Sequence, residues 1–151
     1  MIRALVVDDD SLSRTILLRF LAPYGQCDTA VNGKEAIDSY FQAFAANKPY
    51  SLITLDVMMP EMDGLRVLKN IRRMEKERNI TEPNKVKIII TSALSTPQSI
   101  IQMFYRAGCN EYITKPVSVQ LFNSLLEKYS LIETKGDSPY DTTRTDNAAV
   151  H

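Results

Sequence analysis

Five short apolar runs alternate with longer amphipathic segments along this chain, and that alternation restricts its fold more than any other feature. The runs cover residues 2–7, 27–31, 50–56, 86–90 and 110–114. Three of them (2–7, 50–56 and 86–90) are mostly apolar, as expected of strands buried on both faces. The run at 27–31 is shorter and more polar, as suits a sheet edge. Residues 11–21, 34–46, 65–78, 97–107 and 117–131 repeat apolar residues at helical spacing. Strict β–α alternation predicts a parallel sheet with right-handed crossovers and helices on both faces. The expected architecture is α/β, a doubly wound five-stranded sheet in order 2-1-3-4-5 with five helices.

The helical segments carry their own punctuation. Ser11 is placed to cap the first, whose stripe is Leu12, Ile16, Leu17, Phe20 and Leu21, and Pro23 with Gly25 ends it. Asn32-Gly33 turns the chain into a second stripe of Ala36, Ile37, Tyr40, Phe41 and Phe44, stopped at Asn47-Lys48-Pro49. The third presents Val67, Leu68, Ile71 and Met74 opposite a heavily charged face. The polar connection 79–85 contains Pro83 and is expected to be a mobile loop. Pro97 falls near the first turn of the fourth helix, where proline is tolerated, and Ala107-Gly108 closes it. Leu121, Leu125 and Tyr129 form the expected core stripe of the last helix.

A length of 151 residues suits one domain that needs no disulfide staple. We expect that domain to span 1–132, and residues 133–151, with four Thr and three Asp beside Ser138, Pro139 and Gly136, to form a flexible polar tail with no output domain. Eighteen basic residues balance eighteen acidic ones, which argues against direct nucleic-acid binding or attraction to anionic membranes. No run is long enough to insert into a membrane, and the chain enters its first strand without a signal peptide, so a cytoplasmic protein is expected. Cys27 and Cys109 show no metal-ligand spacing and read as small packing residues.

In such a sheet the carboxyl ends of all strands share one edge, where ligands bind. Four strands deliver polar groups to that edge: Asp8, Asp9 and Asp10 after the first, Asp56 at the end of the third, Thr91 after the fourth, and Lys115-Pro116 after the fifth. Taken singly, each has a plain structural role: turn former, helix-dipole partner, turn hydroxyl or solvated charge. Taken together they form a complementary set. Clustered carboxylates repel one another, and a hard divalent cation such as Mg²⁺ relieves that repulsion. A carboxylate beside Mg²⁺ can act as a nucleophile toward a phosphoryl group. The product adds about −1.5 to −2 of charge and needs the metal, a lysine and hydrogen-bond donors around it.

Four motifs carry a family resemblance: Val6-Val7-Asp8-Asp9, Leu55-Asp56-Val57-Met58-Met59-Pro60-Glu61-Met62-Asp63-Gly64, Thr91-Ser92-Ala93, and Tyr112-Ile113-Thr114-Lys115-Pro116. In order and spacing they resemble the response-regulator receiver family of two-component signalling, over residues 2–131 and with a flavodoxin-like fold. The resemblance implies that Asp56 is the phosphoacceptor and that Asp9 and Asp56 bind Mg²⁺ directly. It further implies that Asp8 binds largely through water and that the Met58 backbone carbonyl completes the protein ligands. Lys115 would pair with the phosphoryl oxygens, Thr91 would be the switch hydroxyl and Tyr112 the aromatic that changes rotamer with it. The family leads us to expect a cis Lys115–Pro116 bond, which an X–Pro sequence permits. Asp10 lies one place beyond the acidic pair and is read as a bystander.

The implied function is that of a stand-alone response regulator, a phosphoacceptor signalling protein rather than an enzyme. Upstream it would meet a histidine kinase or a phosphotransfer protein, and helix one is an expected docking surface. Downstream it would act on a protein effector through helix four, strand five and helix five, as a monomer or a phosphorylation-dependent dimer. Met58 and Ala93 stand where some relatives carry amide or acidic side chains, and neither can orient an attacking water, so slow dephosphorylation is expected. Other classes fit less well. A haloacid-dehalogenase-type phosphatase wants a second Asp two places after the nucleophile, where Met58 stands. A flavodoxin-like cofactor binder wants a Ser/Thr/Gly-rich phosphate loop after strand one, a phosphorylation-independent scaffold would not need the acidic set, and ATP hydrolysis lacks a Walker-type glycine loop.

Overall fold

The computed structural model describes residues 1–57, 63–93 and 96–133. Ten elements alternate along it: β1 (Ile2–Val7), α1 (Ser11–Leu21), β2 (Gly25–Ala30), α2 (Gly33–Ala45), β3 (Leu52–Asp56), α3 (Gly64–Glu77), β4 (Lys87–Ser92), α4 (Gln98–Ala107), β5 (Glu111–Thr114) and α5 (Val119–Lys128). The strands form one sheet in the order β2-β1-β3-β4-β5, and every neighbouring pair is parallel. The expected α/β architecture is therefore the observed one.

Alternation along each strand divides the interior into two layers. Leu5, Val7, Ile53, Leu55, Ile88 and Ile90 point to the layer covered by α2, α3 and α4. Ala4, Val6, Leu52, Ile89 and Ile113 point to the layer that α1 and α5 close with Leu17, Leu21, Phe122, Leu125 and Leu126. Because the three central strands are covered on both sides, all five residues of β3 are buried, Asp56 included. A carboxylate is thus drawn into the sheet by the pleat that buries its neighbours.

Several local expectations are corrected. Asp10, not Ser11, caps α1: its carboxylate accepts from the Ser13 amide at 3.0 Å and the Ser13 hydroxyl at 2.7 Å. It is the better cap because both donors reach one ionised acceptor. Leu12 and Ile16 do not join the core; they are 66% and 37% exposed. On α2, Phe41 is exposed and Ala43 takes the buried place. On α5, Leu121 is exposed and Phe122 replaces it, and the helix is two to three residues shorter at each end than the apolar pattern suggested. Strand β4 runs on through Thr91 to Ser92, which places Thr91 inside the ladder rather than after it.

Strand β2 begins at Gly25, two residues earlier than expected. Gly25 pairs with Ile2, and a Cβ there would lie 1.9 Å from the Ile2 carbonyl oxygen. The glycine reads as a turn in sequence but serves as a close strand contact. The connection 79–85 is organised by the Asn84 amide bonding to the Thr81 carbonyl at 2.8 Å. The Lys115–Pro116 bond is cis as expected, and so is Glu82–Pro83. Cys109 is buried in the first layer and Cys27 packs against the second. Among the described residues, no helix is long and apolar enough to cross a membrane. Of the expected tail, all but Glu133 lies outside the described residues.

Candidate functional site

The sheet register sets the site. Asp56 is the last residue of β3 and stands opposite Thr91 of β4. Past that pair, the Val57 amide donates to the Thr91 carbonyl at 3.2 Å and the Lys115 amide donates to the Ser92 carbonyl at 2.7 Å. On the other side, the Asp8 amide donates to the Ala30 carbonyl at 3.1 Å, extending the β1–β2 pairing by one residue. Backbone bonds thus carry Asp8, Asp56, Thr91 and Lys115 to one rim before any side chain contributes.

Three carboxylates meet there. One oxygen from each of Asp8, Asp9 and Asp56 lies within 4.8 Å of the others; Asp8 and Asp56 are buried and Asp9 is exposed. Both Asp8 oxygens already have donors, the Asp10 amide at 2.9 Å and the Lys115 ammonium at 2.7 Å. Lys115 lies farther from Asp56, at 3.5 Å. Burial raises the Asp56 carboxyl to about 6, helped by the charges of Asp8 and Asp9 and opposed by Lys115. For Lys115, burial acts to lower the ammonium, but the hydrogen bond to Asp8 and the charges of Asp56 and Asp8 outweigh it and hold the group above its ordinary value. One ammonium among these carboxylates leaves the rim short of positive charge.

Thr91 and Tyr112, to which the resemblance assigns the switch, both lie near this rim. The Thr91 hydroxyl is buried and makes no hydrogen bond among the described residues, and the same holds for the Tyr112 hydroxyl. Tyr112 packs against Phe104 of α4 with ring centroids 5.5 Å apart. Its hydroxyl is therefore already shielded in this structure rather than held outside it. Met58, whose carbonyl the resemblance assigns to the metal, lies outside the described residues, whereas Ala93 is exposed.

Sequence reasoning missed three contributors. Asp10 anchors the α1 N-terminus directly beside the acidic pair, with its carboxyl lowered by the Ser13 hydrogen bonds. The Arg14 guanidinium reaches back from α1 to the Asp8 carbonyl at 2.7 Å, bracing the peptide between Asp8 and Asp9. A basic residue one turn into a helix that starts at the rim was a readable signal. Gly64 starts α3 so close to β3 that a Cβ would sit 2.5 Å from the Asp56 carbonyl oxygen.

Comparison with known proteins gives this arrangement its class. The response regulator receiver domain family matches residues 4–127, and the chain belongs to that family. It is 32% identical to the chemotaxis protein CheY of Thermotoga maritima over 130 residues, 85% of this chain and 97% of the relative. It is 31% identical to the two-component response regulator ORR41 of Oryza sativa subsp. japonica, over 87% of this chain and 96% of the relative. It also matches the hybrid signal transduction histidine kinase L of Dictyostelium discoideum at 31%, but spans only 7% of that protein. Among solved structures, it resembles the co-crystal of the Saccharomyces cerevisiae phosphotransfer protein Ypd1 and the receiver domain of Ssk1, with TM-score 0.72, 26% identity, and coverage of 90% and 93%. A Borrelia burgdorferi CheX–CheY–BeF3–Mg complex shares the fold at TM-score 0.71 and 24% identity, over 85% of this chain and 89% of that one. The protein is a receiver domain of two-component signalling.

Proposed function

We propose that this chain is a stand-alone response regulator in which Asp56 accepts a phosphoryl group from a histidine kinase or a phosphotransfer protein. The observation that carries this reading is the convergence of Asp8, Asp9 and Asp56 with the Lys115 ammonium 3.5 Å from the Asp56 carboxylate. The match over nearly the whole length of a chemotaxis protein and of a two-component response regulator supports the stand-alone part of the reading.

The donor set fits Mg²⁺, since all three side chains offer hard oxygen ligands and the exposure of Asp9 leaves room for retained waters. Asp9 and Asp56 would bind directly, with the Met58 carbonyl; Asp8, whose oxygens are both engaged, suits a water-bridged place. When bound, the ion supplies charge neutralisation for the phosphoryl oxygens and lowers the mutual repulsion of the carboxylates.

An Asp56 oxygen attacks phosphorus as the P–N bond to the donor histidine breaks, and the departing imidazole takes up a proton. Lys115, now divided between Asp8 and Asp56, pairs with the new anion. Thr91 offers it an unclaimed hydroxyl from within β4. Those contacts exist only in the phosphorylated state, so they shift the population toward a packing in which Thr91, Tyr112 and α4 are rearranged. The changed face, formed by α4, β5 and α5, would meet a protein effector. On this reading the chain is a signalling phosphoacceptor, not an enzyme, and assists only its own phosphorylation and dephosphorylation.

The test is intact mass after incubation with acetyl phosphate and Mg²⁺, beside Asp56→Asn and a chelated control. One added phosphoryl group, absent from both controls, is the expected result; its decay should be slow, since Ala93 brings no polar side chain to the rim. Labelling that persists in Asp56→Asn would overturn the assignment.

A further inference from the structure

Helix α4 is held unevenly. None of its first six residues is fully buried, although Ile100 packs partly against the core, and Phe104 is its only fully buried side chain. Pro97, at the N-cap, supplies no side-chain hydrogen bond. The helix joins the rim through hydroxyl contacts, the Ser92 hydroxyl 3.2 Å from that of Thr96 and Thr96 bonding to the Ala93 carbonyl at 3.3 Å.

Its trailing end is fastened from several directions. Arg72 of α3 donates through Nε to the Gly108 carbonyl at 2.9 Å, through Nη1 to the Val86 carbonyl at 2.9 Å and to Glu75 at 2.6 Å, and through Nη2 to Asn110 at 3.0 Å. Glu75 is buried and accepts from the Val86 amide at 2.8 Å; Asn110 accepts from the Ile88 amide at 2.8 Å. Gly108, at φ 108°, closes the helix, and a Cβ on it would lie 3.2 Å from the Arg72 side chain. The Tyr105 hydroxyl accepts from the Tyr112 amide at 3.1 Å, adding a tie to β5. One guanidinium therefore joins α3, the entry of β4, the end of α4 and the entry of β5.

We infer that Arg72 is a positioning residue for signal output: it pins the trailing end of α4, so that α4 responds to the phosphoryl group by pivoting about Gly108. This rests on the phosphoacceptor reading above and adds the direction of movement. At 1.5 Å per residue α4 is about 15 Å long, and a tilt of about 10° about Gly108 carries its leading end about 2.6 Å while the trailing end stays in place. A forked, planar donor suits this role because each of its bonds fixes a different element, which a point-charge lysine cannot do.

The experiment is hydrogen exchange of the full chain in Mg²⁺, with and without beryllium fluoride as the phosphoryl mimic. Amides of Ile101, Gln102 and Met103 should change exchange rate by about threefold or more, while Gly108, Cys109 and Asn110 stay unchanged. A change at the rim residues 56–57 and 90–92 with equal change at both ends of α4, or none in α4, overturns the pivot and leaves the phosphoacceptor reading standing. No change at the rim overturns both. A second arm uses Arg72→Met/Glu75→Gln, which removes the fork without stranding a buried carboxylate. There the mimic-induced change should spread to Gly108–Asn110, and a gradient identical to that of the parent chain would overturn the role of Arg72.

Discussion

At the scale of single residues, Asp56 works against the fold that holds it. Its carboxyl titrates near 6 in the native chain against 3.8 for the free group, because burial and the neighbouring carboxylates disfavour ionisation. A folded value above the unfolded one means the native state binds the proton more tightly. The contribution of Asp56 is therefore fully present below pH 3.8 and is lost as pH rises through about 6. At pH 7.5 and without metal, its ionisation costs at most about 3 kcal/mol, a ceiling because the rim is partly reached by solvent. Asp56→Asn cannot ionise, so in EDTA it should be more stable than the parent chain by about that amount at pH 7.5 and nearly equal at pH 3.5. Urea midpoints at the two pH values decide the matter, and an equal gain at both would show that packing, not charge, is responsible. Adding Mg²⁺ should narrow the difference, since on the proposed reading the parent chain would bind it through one more carboxylate.

At the scale of elements, the site depends on how close α3 comes to β3. The Gly64 amide bonds the Val57 carbonyl at 2.9 Å and its α-carbon faces the Asp56 carbonyl, so the helix begins against the peptide that follows Asp56. Gly64→Ala places a methyl group 2.5 Å from that oxygen and obliges either α3 or the end of β3 to move. The expected result is a loss of about 1–3 kcal/mol in stability, as for other overpacked positions, together with slower labelling by acetyl phosphate. Parent-like stability and rate in Gly64→Ala would show that the contact does not hold the site. In the sequence this glycine carried only a turn signal, as Gly25 did. Periodicity reports which face of an element is apolar, but it does not report how near another backbone lies. The same limit applies to Leu12, Ile16 and Leu121, which satisfy helical spacing yet remain exposed. The strand-end residues were legible because a parallel sheet sends every carboxyl end to one edge. The Arg72 network was not, since two of its four acceptors are backbone carbonyls, which have no residue signature, and Asn110 lies 38 positions away along the chain.

At the scale of the whole molecule, chemistry and partner recognition should be separable, because they use different surfaces of one rigid sheet. The acidic rim and Lys115 are built on β1, β3 and β5, whereas the exposed Leu12 and Ile16 lie on α1, away from the core that supports them. Small donors need only the rim. A protein donor must also dock, and an apolar strip beside the acidic pair offers a place for an amphipathic helix. Burying one leucine at such a contact contributes about 1.5–3 kcal/mol, and about 1.4 kcal/mol is a tenfold change. Leu12→Asp should therefore lower transfer from a phosphotransfer protein by about tenfold or more while leaving the acetyl phosphate rate unchanged. The substitution removes little from the fold, since Leu12 is 66% exposed. Stopped-flow transfer from the protein donor, run beside acetyl phosphate labelling of the same preparations, separates the two contributions. An equal loss with both donors would mean that Leu12→Asp acts on the neighbouring acidic rim through its added charge. No loss with either would remove α1 as the docking face and leave the surface around Val119 and Leu121, the other exposed apolar residues of that layer, as the contact to test next.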